Sequence, residues 1–432
     1  MNRCQNLIMS ENARDFIIRY NSETYRQIKS MSDTCIQCVD ETWCLAHTAG
    51  DDDMSRFIAE KGYYSVPKLY GLMQTDTSNF DESGLTATLN QTNLNVRGQG
   101  VIIGFIDTGI DYTLDIFQSA RNISKITAIW DQTIQDNSND EENMNGQEPQ
   151  DNDYSYLTAL GRFNYGAVYE NEDINRALQA KALGENPFDY VPTTDDNGHG
   201  TFIAGIAAGS QTREFTGAAP DAEIVMVKLK PAKQYLRNYY IIKDNVEAYQ
   251  ETDIMAGVRF LRFCALRENK PLVICLGVGT GSGPRTGMTP LADMLNSMAG
   301  RNNVVVVVPI GNEGNARTHV QDVLVSNAGV SEININVGEN VKGFSMEIWA
   351  DTLDLLSVSF VSPSGQLIPR VPVRIGQSSV FRFLLENTTV SVDYKVAETV
   401  SGYEVIFIRF ASPSQGVWGV NVYSLTNITA VY

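Results

Sequence analysis

The sequence predicts an α/β protein: a parallel sheet with helices on both faces, preceded by a small α/β unit and followed by an antiparallel β-sandwich. Three observations carry this. Between Val101 and Val308, strand-sized apolar runs alternate with helical patterns, as they do in a sheet buried on both faces. After about Ala328 the apolar period drops to two, the mark of half-buried antiparallel strands. The first 73 residues read in the order β-α-β-β-α-β.

In the N-terminal unit, Phe16-Ile-Ile-Arg-Tyr reads as a strand, Ser22 to Met31 as a helix and Thr34 to Ala49 as two short strands. Asp51-Asp52-Asp53 opens a second helix at its positive end, and Tyr64-Ser-Val-Pro-Lys-Leu-Tyr is extended. A polar stretch, Gln74 to Gly84, ends the unit and sets domain limits at 1–73, 74–328 and 329–432. The sheet takes Val101-Ile-Ile-Gly-Phe-Ile, Ile126-Thr-Ala-Ile-Trp, Glu223-Ile-Val-Met-Val-Lys, Leu272-Val-Ile-Cys-Leu and Val304-Val-Val-Val-Val. Its crossover helices are Phe202 to Gly209, Asp253 to Leu266 and Pro290 to Ala299, each with apolar residues at helical spacing. Gln135 to Asp153 is a solvated acidic loop. Seven alternating runs between Ile333 and Tyr423 build the sandwich, whose strand pattern still runs where the chain stops at Tyr432.

The 432 residues carry 33 Lys+Arg against 51 Asp+Glu, a net charge of −18, which excludes a basic nucleic-acid surface. No apolar run approaches the ~20 residues needed to cross a bilayer, so no membrane span is expected. Ser10, Glu11 and Asn12 follow the first residues before any long apolar region, so the start does not read as a secretory signal peptide. Six cysteines, at 4, 35, 38, 44, 264 and 275, are too sparse for a disulfide scaffold, and free thiols are expected.

Three motifs carry chemistry. Asp107-Thr108-Gly109 follows an apolar strand directly, placing a carboxylate where open α/β sheets keep their sites. A second Asp-Thr-Gly or Asp-Ser-Gly, which an aspartic protease needs, is absent from the sequence. Asp195-Asp-Asn-Gly-His199-Gly-Thr opens a helix of small residues that leaves the imidazole accessible, as a general base requires. His47 and His319 lack such a setting. Gly311-Asn312-Glu313-Gly314 ends the five-valine strand and lets the Asn312 amide aim its N–H into a cleft, a donor suited to an oxyanion.

Together these motifs resemble the subtilisin-like serine proteases over roughly residues 95–325. The resemblance implies that Asp107 orients the base, His199 activates a nucleophile and Asn312 stabilises the oxyanion of a peptide-bond hydrolase. It places Cys275, Leu276 and Gly277 on the strand that pairs with the substrate backbone, Cys275 standing where the family usually has Ser. Gly217-Ala-Ala-Pro220 also looks like the family. Ala128-Ile-Trp-Asp-Gln-Thr-Ile134 and Phe163-Asn-Tyr-Gly166 resemble an insertion of the clostridial Csp-type spore-germination proteases and their gut-bacterial relatives.

On that resemblance, residues 1–73 are a prodomain whose tail lies in the substrate cleft, with a processing junction within Tyr70 to Asp76, and residues 330–432 belong to a jelly-roll insert. The family nucleophile, in Gly-Thr-Ser followed shortly by Pro, has no counterpart in these residues; Ser282 falls in the loop after the substrate-pairing strand. The chain is therefore expected to be the N-terminal part of a subtilase, with part of its β-sandwich, and inactive alone. A C-terminal segment or second chain would supply the Ser. The alternative is an inert pseudoprotease that holds a partner. The implied partners are a peptide or protein substrate and the chain's own prodomain. No cofactor is implied, although calcium is common in subtilases; no short acidic cluster fixes a site for it. The start of the chain favours a cytoplasmic or spore compartment over secretion.

Overall fold

In the computed structural model, residues 3–49, 62–74, 84–135, 163–324 and 329–424 are described, apart from positions 32, 90, 92, 94–95, 120, 164, 214, 352–354, 375–377 and 399. The N-terminal unit pairs β1 (Ala13–Arg19), β2 (Thr34–Cys38) and β3 (Trp43–Ala49) antiparallel in the order β1-β3-β2. Helix Ser22–Lys29 starts where the Asn21 side chain accepts the Glu23 and Thr24 amides. The helix expected at Asp51–Asp53 lies outside the described residues. A further helix, Arg3–Met9, is tied to β2 by a Cys4–Cys35 disulfide, and Cys38–Cys44 joins facing residues of β2 and β3. These bridges correct the free-thiol expectation: strand register, which cysteine counting does not see, brings the partners together. Cys264 and Cys275 are the free cysteines among the described residues.

After this unit come β4 (Leu69–Leu72), β5 (Ile102–Asp107), β6 (Ile126–Asp131), β7 (Ala167–Glu170), β8 (Glu223–Lys228), β9 (Tyr249–Gln250), β10 (Leu272–Leu276), β11 (Val278–Gly279) and β12 (Val304–Val307). The central sheet runs β12-β10-β5-β8-β6-β7, parallel except for β7. All five expected strands take their places, and β7 adds an antiparallel edge. Ile102 and Ile106 face a core shared with helices Glu251–Glu268 and Pro290–Ala299 and with Ile17, Trp43 and Leu45 of the N-terminal unit. Ile103 and Phe105 face the other side, against Ile174 of helix Asn171–Ala182 and Ala204 of helix His199–Ala208. Trp43 Nε1 donates to Asp293 Oδ2 at 2.9 Å and helps dock the unit.

The extended segment expected to finish the N-terminal unit leaves it instead. β4 lies between β9 and β11, antiparallel to both, in a separate three-stranded sheet. At the β12 margin of the central sheet, Val305, Val307, Val308 and Ile310 are all exposed.

The C-terminal strands are β13 (Val330–Val337), β14 (Gly343–Ala350), β15 (Leu356–Val361), β16 (Leu367–Ile368), β17 (Ser378–Phe383), β18 (Thr388–Lys395), β19 (Glu404–Ala411) and β20 (Gly416–Ser424). They form two four-stranded antiparallel sheets, β13-β20-β15-β16 and β14-β19-β18-β17. Phe360, Phe383, Ile406, Ile408, Phe410 and Trp418 fill the space between them. The second sheet is buried on its outer face too: Trp349, Val405 and Phe407 pack with Tyr63, Leu236, Tyr239 and Tyr240.

Candidate active site

Asp107 is the last residue of β5 and is buried. Its Oδ1 accepts the Thr108 amide at 2.7 Å and faces His199 Nδ1 at 2.8 Å. His199 is the first residue of its helix, and Gly198 ahead of it takes a left-handed φ of 84°. The two glycine-containing motifs explain each other here: a Cβ on Gly200 would lie 2.2 Å from the Gly109 carbonyl, so the helix start can press against the Asp-Thr-Gly turn only without a side chain. On the other side, a Cβ on Gly277 would lie 1.8 Å from Asp107 Oδ2.

Asp195 organises the same turn, a role its place in the motif does not reveal. Its Oδ1 accepts the Thr108 hydroxyl at 2.8 Å and the Gly198 amide at 3.0 Å, and its Oδ2 accepts the Thr201 amide at 2.9 Å and hydroxyl at 2.6 Å. Burial would raise the Asp195 pKa, but these donors outweigh it and hold the carboxyl below its usual range. For His199, burial acts to lower the pKa, but the hydrogen bond and charge of Asp107, with the Met73 carbonyl and the Asp195 charge, together outweigh it and the net shift is upward from 6.5.

The second ring nitrogen, His199 Nε2, meets the carbonyl of Met73 at 2.5 Å. A carbonyl only accepts, so Nε2 carries hydrogen in this contact. Asn312 Nδ2 donates to the carbonyl of the next residue, Gln74, at 3.2 Å. The Met73 amide donates to the Gly277 carbonyl at 3.0 Å, and Leu72 and Gly71 face Val278 and Gly279. The segment entering from the N-terminal unit thus lies as a strand across Asp107, His199 and Asn312.

Of the three residues expected to bind a backbone, Gly277 makes this bond directly. The Leu276 side chain is buried in the core, and the Cys275 thiol, pushed up to about 11 by burial and the Asp107 charge, is not a nucleophile. β9 and β11, which flank the segment, escape sequence reading because two residues show no period. The Ser282 amide donates to Thr280 Oγ1 at 3.1 Å, within the loop after β11. His47 is buried against Asp15 at 2.7 Å, and His319 is exposed. Among the described residues, no group of three His, Cys, Asp or Glu could hold a metal ion, and no helix is long and apolar enough to cross a membrane.

The subtilase family model matches residues 98–368, more than half of the chain. The chain belongs to the subtilase family. By family it is a subtilisin-like serine peptidase, a class whose substrates are peptides or proteins. Among solved structures, the CspB protease of Clostridium perfringens is similar to this subtilase, with a TM-score of 0.64 and 25 % identity over 83 % of this chain and 67 % of that one. None of the curated proteins matches.

Proposed function

We propose that this chain carries the base, the orienting carboxylate and the oxyanion donor of a serine endopeptidase whose nucleophile lies outside these 432 residues. His199 takes the nucleophile's proton at Nε2, Asp107 fixes the ring through Nδ1, and the Asn312 amide holds the developing oxyanion. The observation that carries the reading is a peptide already lying in place, with Met73 O on His199 Nε2 and Gln74 O on Asn312 Nδ2. Residues 1–73 act as a prodomain whose tail runs on to Gln74, and the bond to be processed is Gln74–Thr75, the one whose carbonyl the Asn312 amide grips. Gly277 lines the substrate cleft through its backbone, and Cys275 and Leu276 hold it there from the strand that precedes it.

Exposure of Val305, Val307, Val308 and Ile310 supports a missing covering segment of the kind that would bring the Ser. To test this, the coding sequence after Tyr432 is read in every frame for Gly-Thr-Ser-x-x-x-Pro, and the extended chain is expressed. Cleavage between Gln74 and Thr75, abolished by His199→Ala, is expected. Absence of the motif within about 150 codons, a domain's length, or cleavage that survives His199→Ala overturns the reading. The first of these outcomes favours the second reading, an inert pseudoprotease, for which the self-occupied cleft already speaks.

A further inference from the structure

Tyr63 opens the segment that runs into the cleft, and the β-sandwich holds its ring. The ring is buried 5.4 Å from Phe407 and 6.2 Å from Trp349, centroid to centroid. Its hydroxyl donates to Glu347 Oε1. Glu347 Oε2 accepts the Trp349 indole N–H at 2.8 Å and the Gly283 amide at 2.7 Å. Gly283 lies in the loop after β11, the strand that pairs with β4. One carboxylate of the sandwich therefore ties the entering segment to the wall of the cleft.

Lys68 completes the anchor. Its ammonium sits 3.2 Å from the centre of the Tyr63 ring, in cation–π geometry. Burial brings its pKa down to about 8, although the Glu347 and Glu251 charges act to raise it. Its backbone is clamped as well: the Lys68 amide donates to Glu251 Oε2 at 2.9 Å, and its carbonyl accepts the Glu251 amide at 2.9 Å. Side chains alternate along a strand, so if Ile348 and Ile408 fill the sandwich core, Glu347 and Trp349 on β14 and Val405 and Phe407 on β19 face outward. A free-standing sandwich would carry water-compatible side chains there. Instead this face is buried with Tyr63, Val66 and Leu69 of the segment and with Tyr239 and Tyr240.

We propose that the outer face of the β14/β19 pair is the docking site that keeps this chain's own Tyr63–Gln74 segment in the cleft, and so sets the access of every other polypeptide to it. The fitting partner is a segment that opens with a 3-10 turn and continues into a strand, with an aromatic residue in the turn followed five positions later by lysine, and residues 62–74 are that partner. The inference rests on reading this segment as the occupant of the active cleft, and it makes the sandwich a latch rather than a spacer.

Amide hydrogen exchange on the full chain tests it, comparing wild type with Glu347→Ala and Tyr63→Phe. Both variants are expected to speed exchange of the Leu69–Met73 amides by about tenfold or more, because each removes the hydrogen bond from Tyr63 to a charged group and Glu347→Ala removes the Trp349 and Gly283 bonds as well, while the β5 and β10 amides keep their rates. The double variant is expected to add little to the Glu347→Ala effect, because that variant already removes the one bond that Tyr63→Phe removes. Unchanged exchange in Leu69–Met73 overturns the proposal. Should Glu347→Ala loosen β5 and β10 too, Tyr63→Phe, which removes one oxygen, decides. Neither variant touches Asp107, His199 or Asn312 and exchange needs no nucleophile, so this proposal and the catalytic one fail independently.

Discussion

His199 is held from both ring nitrogens at once, by a carboxylate on one side and a peptide carbonyl on the other. Both contacts favour the protonated ring, and its pKa rises for that reason. The folded protein therefore keeps this proton to higher pH than the unfolded chain does. The stability it contributes is fully present below the unfolded value of about 6.5 and is lost as the pH rises through the raised folded value. Asp107→Asn is expected to bring the His199 titration, followed by NMR, to lower pH and to flatten this pH dependence of stability. An unmoved titration would contradict the coupling. At this scale Asp107 and His199 could be singled out because Gly109 and Gly200 of their motifs make a specific close approach, and Asn312 because it follows Gly311, whose φ of 91° belongs to a tight turn. Asp195 and the Met73 and Gln74 carbonyls were not, since their roles exist only once the Leu69–Gln74 segment and the helix start have come together.

Among elements, the strands of the central sheet and the sandwich announced themselves through length and period. The exceptions have physical causes. β4 reads as an ordinary strand of the N-terminal unit, but the partners that pull it away are two residues long. β19 reads Val405-Ile-Phe-Ile, an unbroken apolar run; it is buried on both faces, which a strictly alternating strand would not be. Helix Arg3–Met9 is held by the Cys4–Cys35 bridge, with a sequence separation of 31. Closing a loop of that size in the unfolded chain is worth about 3–4 kcal/mol in the chain-entropy model. Reduction, or Cys4→Ser with Cys35→Ser, is expected to lower the unfolding midpoint of the N-terminal unit, measured by differential scanning calorimetry. A midpoint that does not move would show that the bridge does not constrain the unfolded chain.

For the whole molecule, the β12 margin sets the behaviour in solution. Four exposed branched aliphatic side chains beside an open strand edge form the kind of surface that recruits another polypeptide. The 432-residue chain is expected to bind a hydrophobic dye and to self-associate with rising concentration. Val305→Thr, Val307→Thr and Ile310→Thr together are expected to reduce both, with each exposed substitution changing stability by no more than about 0.5 kcal/mol. Sedimentation velocity and dye titration check this, and association that is undiminished in the triple variant would place the sticky surface elsewhere.

The strand between β9 and β11 also changes how competition for the cleft must be counted. A segment tethered to the surface it occupies acts at an effective concentration of the order of millimolar. A free polypeptide at about 1 µM thus meets a handicap of roughly a thousandfold before any contact is compared. If the Gln74–Thr75 bond is cut, that handicap is removed in one step, and an occupant that dilution cannot dislodge becomes one that it can.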